Sequence, residues 1–276
     1  MNKLVYANEV KSILESKGFE VAVVENGRNN ASNVGISIRK DFGVSPIFYI
    51  KDEMDENPYR FADMILSFEP EEIDVSAISE LMLDKEEVLN RVHYILVNSA
   101  LNEKRDGIVR VPINSTLELH YKIDIGDIFH DAQITLEKKH LESLDLPLAR
   151  LAYRAYHNTM ENYEAEIYSL SDILPEIGDA SYMFSEFMVL SNKSKVYGAG
   201  AILYEGMYDK LQEVMDGDFV VIPSSVHEVI LVKTEYGDVD ALTKIIGDVN
   251  GSVVSPEEVL SDRPYKLVRD KKLVEA

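Results

Sequence analysis

Residues 219–232 read FVVIPSSVHEVILV, two continuous apolar runs, mostly β-branched, on either side of a short link at 223–228. Runs of that length without alternation suit strands buried on both faces. A link this short returns the second run antiparallel to the first, so the stretch reads as a hairpin. It sets the expected fold class: α+β, with mostly antiparallel sheets and packed helices in two to three subdomains.

The pattern repeats on both sides. Upstream, YMFSEFMVLS (182–191) and KVYGAGAILYE (195–205) flank Asn192, Lys193 and Ser194 and read as a second hairpin, followed by a helix over MYDKLQEVM (207–215). Downstream, DVDALTKIIGDV (238–249) has helical periodicity. Ser255-Pro256-Glu257-Glu258 has the form of a helix start, with Ser at the cap, Pro in the first turn and Glu three residues on. RPYKLVR (263–269) reads as a final edge strand.

Further back, Leu4, Val5, Val10, Ile13 and Leu14 form a helical stripe ended by Gly18. EVAVVE (20–25), NVGISIRK (33–40) and SPIFYI (45–50) are strand candidates, the first two joined by the turn-forming run NGRNNAS. VHYILVN (92–98) fits either strand or helix. TLELHYKIDI (116–125) is a strand with Leu117, Leu119, Tyr121 and Ile123 on one face, and AQITLEK (132–138) is its hairpin partner. Residues 147–163 form an amphipathic helix burying Leu148, Leu151, Ala152, Ala155 and Tyr156. The expected organisation is an N-terminal α-β-β-β-α subdomain at 1–83, a middle α+β segment at 84–163, and a C-terminal hairpin-helix-hairpin-helix subdomain at 164–276.

Composition narrows the function. The chain carries 28 basic and 49 acidic residues, a formal charge of −21 and a pI near 4.6. Such a surface repels phosphate backbones, so direct nucleic-acid binding is not expected, and a basic partner protein suits it better. No apolar run is long enough for a membrane span and no secretory leader pattern is present, so a cytoplasmic protein is expected. With no cysteine, thiolate chemistry and disulfides are excluded. Residues 51–90 concentrate the acidity, 13 acidic against 3 basic residues, with Asp52, Glu53, Asp55 and Glu56 the densest run.

Few residues look chemical. Ser225, His227 and Glu228 form a local polar cluster, but the strand–helix turn and flanking glycines of a nucleophile elbow are missing, and turn capping explains the serines. Gly198 and Gly200 begin a G-x-G-x-x-G pattern that Leu203 breaks, so they mark a bulge or a close backbone approach. Among His93, His120, His130, His140, His157 and His227 no metal-binding spacing occurs. Glu118 and His120 share one strand face and could give two ligands, against the simpler expectation that this polar face meets solvent. Arg150, Arg154 and His157 line up along one helix as an anion-binding row or as ordinary partners of acidic neighbours. No catalytic residue, metal or cofactor is assigned.

NGRNNASNVGISIRK…SPIFYI, VLSNKSKVYGAGAILY, FVVIPSSVHEVILV and VSPEEVLSDRPYKL together resemble the bacterial family called domain of unknown function 5688, over almost the whole chain and most specifically in its last third. The resemblance implies a bacterial protein, of a kind common in gut anaerobes and often encoded among mobile-element genes, and it carries over no catalytic residues. Three functions are expected to compete. The first is a non-enzymatic module that binds another protein. The second is an acidic mimic of nucleic acid that inhibits a DNA-binding protein through Asp52, Glu53, Asp55 and Glu56. The third is an enzyme whose site is assembled from dispersed residues.

Overall fold

A run of local signals builds the N-terminal elements. In the computed structural model, which describes residues 2–39, 47–51, 57–68, 75–103, 106–129, 132–173, 187–236, 238–252, 254–269 and 272–276, helix α1 (Lys3–Ser16) is capped by Asn2. The Asn2 Oδ1 accepts from the Leu4 and Val5 amides at 3.1 and 3.3 Å. At the other end Gly18 takes φ +92° and the Phe19 amide reaches back to the Leu14 carbonyl, a left-handed stop that suits glycine. The buried stripe is Tyr6, Ala7, Val10 and Leu14, whereas Leu4 and Val5 are 44% and 55% exposed. Periodicity allowed either stripe; packing against α2 (Pro58–Ser67) chose the one carrying Tyr6, whose ring lies 6.1 Å from that of Phe61.

Strands β1 (Val21–Arg28) and β2 (Ala31–Ile38) pair antiparallel around Asn29 and Asn30, the latter at φ +58°, and β3 (Ile47–Tyr49) pairs with β2. Asparagine tolerates that left-handed position better than most side chains. The apolar faces of these strands and of α1 and α2 form a cluster of their own, with Val10, Leu14, Ile36, Ile38 and Ile65 fully buried.

A second core collects residues from Leu81 to Leu273. It begins with α3 (Val75–Leu83) and α4 (Lys85–Arg91), then β4 (Val92–Asn98), β5 (Arg110–Pro112), β6 (Leu117–Asp124), β7 (Gln133–Thr135), α5 (Lys138–Ser143) and α6 (Leu148–Asn162). VHYILVN is therefore a strand, and its β-branched, aromatic make-up suits the partner it finds. β6 is the hub: β4 lies along one edge, and β5 and β7 share the other, all antiparallel. Helix α6 covers the Tyr94–Tyr121 face. It buries Leu151 and Ala155 as expected, but also Asn158 and Thr159, while Leu148 is 40% exposed. The Asn158 amide group donates to the carbonyls of Leu89, Asn90 and Val92, closing the α4–β4 junction. That polar role is invisible in an apolar stripe.

The rest forms a six-stranded antiparallel sheet from β8 (Ala165–Ser169), β9 (Phe187–Asn192), β10 (Phe219–Ile222), β11 (Val229–Lys233), β12 (Tyr265–Val268) and β13 (Lys272–Glu275), in the order β13-β12-β10-β11-β9-β8. Helices α7 (Leu170–Ile173), α8 (Met207–Met215) and α9 (Val239–Ser252) accompany it. The hairpin at 219–232 is present, with Val221 opposite Leu231. The fold is α+β with antiparallel sheets. No helix among the described residues is long and apolar enough to cross a membrane.

Three expectations for this last third fail. RPYKLVR supplies β12, an interior strand, because 272–275 pairs outside it as the edge. Ser255–Glu258 makes a single turn and no helix. The carbonyls a helix would use are bound from elsewhere: Pro256 and Glu257 accept from the side chains of Asn30 and Asn29, and Glu258 accepts from the Val226 amide. Residues 195–205 are not a strand either; Gly198–Leu203 is a buried 3-10 segment. A Cβ on Gly198 would lie 2.5 Å from the Asn192 nitrogen and 2.7 Å from the His227 oxygen, so the close-approach reading of this glycine holds.

Candidate active site

The alternation of β6 decides where the chemistry lies. Leu117, Leu119, Tyr121 and Ile123 turn one way, and Glu118, His120, Lys122 and Asp124 turn the other. Pairing extends the second face: His93, Ile95 and Val97 lie opposite Lys122, His120 and Glu118; Arg110 lies opposite His120; and Gln133 and Thr135 lie opposite Asp124 and Lys122. This polar face does not meet solvent. Glu118 is 4% exposed and His120 is 1% exposed, and the space beside His120 is lined by Asn29, Tyr49 and residues that connect the C-terminal strands.

The closure leaves a cavity of about 620 Å³. Its floor is Ile95, His120, Lys122, Gln133 and Thr135. One wall is Tyr197, Val226, His227, Glu257 and Glu258, and Asn29 and Tyr49 reach in from the N-terminal sheet. The hairpin tip is held by amides. Asn102, fully buried, donates to the Asn29 and Asn30 side-chain oxygens at 3.0 and 2.9 Å and accepts from the Asn30 amide, while the Asn30 side chain donates to the Val259 carbonyl. A cleft between two separately packed cores is a common setting for ligand sites.

Two histidines line this space, and the protein engages a different ring nitrogen in each. His120 Nε2 lies 2.7 Å from Glu118 Oε1, and Arg110 Nη1 lies 3.4 Å from the same oxygen. A carboxylate accepts only, so His120 donates to it from Nε2. In His227 the other nitrogen is engaged. Its Nδ1 accepts from the Tyr197 amide at 3.1 Å, which leaves the proton on Nε2, 3.6 Å from Glu258 Oε1. The backbone of His227 is pinned as well: its amide donates to Ser225 Oγ and its carbonyl accepts from Ser191 Oγ.

Tyr197 makes that arrangement possible at a cost. It sits at φ +54°, a left-handed conformation that side chains rarely adopt, with its ring stacked 5.5 Å from His227 and the Lys122 ammonium 5.0 Å from the ring centre. Strain of this kind, of order 1–3 kcal/mol, collects where a site needs a particular orientation.

A family model described as a family of unknown function, DUF5688, matches residues 3–269 of the 276. The chain belongs to that family. No curated protein and no solved structure matches it.

In this DUF5688 chain the cluster Ser225, His227, Glu228 divides. His227 lines the cavity. Ser225 caps the turn, and Glu228 accepts from the hydroxyls of Tyr168 and Ser224 at 3.2 and 3.5 Å. Asp52, Glu53, Asp55, Glu56 and His130 lie outside the described residues. Arg150 pairs with Glu86 at 2.7 Å and Arg154 donates to Asn90, so that row joins α6 to α4. Among the described residues no group of three or more His, Asp or Glu side chains is placed to hold a metal ion. Sequence reasoning paired Glu118 with His120 but did not find Arg110, Lys122, Tyr197 or Glu258. The one sequence signal is the strictly polar alternate face of 118–124, which a solvent-facing strand explains equally well.

Proposed function

We propose that this DUF5688 protein is a hydrolytic enzyme acting on a small polar ester-type substrate, with His120 as general base and His227 as a hydrogen-bond donor to the oxygen that gains charge. The single observation that carries the reading is one cavity lined by two oriented histidines, His120 held through Nε2 by Glu118 and His227 held through Nδ1 by the Tyr197 amide. His120 would take a proton from water, and Glu118 would stabilise the imidazolium formed, as a carboxylate does behind a catalytic histidine. The His120 imidazolium would then return that proton to the leaving oxygen, and His227 would donate a hydrogen bond from Nε2–H to the oxygen that gains negative charge. Lys122 offers a cation where negative charge develops. An all-cytoplasmic setting fits a chain without cysteine.

The test is turnover of p-nitrophenyl carboxylic esters, phosphodiesters and glycosides by the purified chain, beside His120→Asn and His227→Asn. The expected result is hydrolysis of an ester or phosphodiester, falling roughly 100-fold or more in each variant with unchanged thermal unfolding. Retained activity in both variants, or no turnover by the folded wild type, would overturn the proposal.

A second reading, recognition of a basic partner protein, draws support from the net charge of −21 and from Tyr59, 64% exposed on α2 just after the acidic run 52–56. Binding of such a partner that persists after Asp52, Glu53, Asp55 and Glu56 are changed to their amides would exclude that run, as it would for nucleic-acid mimicry.

A further inference from the structure

The polar sheet face does not end at the first cavity. Beyond Lys122 it runs on through His93 and Gln133 into a second cavity of about 900 Å³, within the usual range for ligand sites. Gln133 lines both spaces. We infer that this second cavity is a binding site for a neutral, hydroxyl-rich group such as a sugar ring.

Charge balance is the first argument. Among the described lining residues each ion is already engaged. Arg91 meets Asp127 through two nitrogen–oxygen pairs, at 2.5 and 3.0 Å, and also Glu87. Asp124 accepts from the Gly126 amide at 2.8 Å and from the Tyr163 hydroxyl at 3.3 Å. A charged ligand would find no unengaged counter-ion there.

The hydrogen-bonding inventory is the second argument. Asn162 and Gln133 each carry donor and acceptor atoms, Asn90 adds its amide N–H groups beside an oxygen that accepts from Arg154, and Ser194 adds an acceptor oxygen whose proton goes to Asn192, a mixed set of the kind that adjacent hydroxyls require. His93 is 3% exposed, and neither ring nitrogen reaches a partner at hydrogen-bonding geometry among the described residues, although the Arg91 carbonyl and the Gln133 side chain lie near enough to favour protonation. Burial keeps the ring neutral, with its pKa pushed down to about 4, so it presents one donor and one acceptor. A buried polar group left without a partner is costly and is best explained by something that completes it. The Tyr163 ring, 5.0 Å from that of His93, gives the apolar wall that the C–H face of a sugar needs. This site stands whether or not the first cavity is catalytic.

The experiment is nitrogen-15 NMR of the histidine side chains during separate titrations with methyl glucoside, D-ribose and inorganic phosphate. His93 is assigned from the signal missing in His93→Phe. Shifts of the His93 nitrogens with a sugar and none with phosphate are expected, weakened at least several-fold in Asn162→Ala and Ser194→Ala, which leave the buried ring intact if His93→Phe does not fold. A response to phosphate instead, or no response to either sugar up to its solubility, would overturn the inference.

Discussion

Acidification should loosen this fold through His93, and the size of the effect follows from its burial. The ring is held neutral with a pKa near 4, against 6.5 in an unfolded chain, because desolvation outweighs the nearby groups that favour its charge. The depressed value means that the unfolded state binds the proton more readily. The contribution is therefore fully present above pH 6.5 and is lost as pH falls towards 4. Each unit of that gap is worth about 1.4 kcal/mol, so the loss saturates near ~3 kcal/mol, and about 2 kcal/mol of it is spent between pH 7 and pH 5. Urea unfolding followed by circular dichroism at pH 7, 6 and 5 would measure it, with His93→Gln as the reference lacking the group. Other titrating groups are common to both proteins, so the stability difference between them isolates His93. That difference should shift by about 2 kcal/mol in the variant's favour on acidification. Parallel pH dependence in the two proteins, or a His93 ring titrating near 6.5 by NMR, would refute the reasoning.

Two other positions give sharp outcomes. Gly198→Ala places a Cβ against the Asn192 nitrogen and the His227 carbonyl, both backbone atoms, so at least about 2 kcal/mol of stability should be lost along with His227 placement, as read by urea unfolding and by His227 chemical shifts. Asn102→Ala strips the hairpin tip of its buried donor and acceptor and should cost about 1–3 kcal/mol, with faster hydrogen exchange at the Asn30 amide; unchanged exchange there would show that Asn102 does not hold the N-terminal sheet in place.

The antiparallel pairing of 219–232 could be read from apolar runs and a short link, because a strand buried on both faces records its burial directly in composition. The same held for α8 at 207–215 and for the pairing of 132–138 with 116–125. The stop at Gly18 could be read because backbone conformation there is a local property. These are the features that each residue and its neighbours decide among themselves.

The site was decided elsewhere. Whether the face carrying Glu118 and His120 meets water or a cavity depends on what lies beside it, which here includes Asn29, Tyr49, Tyr197, His227 and Glu258. Asn29 and Asn30 looked like turn formers and also hold the carbonyls that a helix at 255–258 would have used. Tyr197 carries no sequence mark of its left-handed backbone; packing imposes it, with Gly198 allowing the chain to pass so close to His227. The sequence alone determined the charge, the hairpin at 219–232 and the helices at 3–16, 148–162 and 207–215, since those follow from composition, local periodicity and stereochemistry. Only the tertiary structure decided which polar groups lost their water, and it is desolvation together with orientation that turns an ordinary histidine into a candidate acid or base.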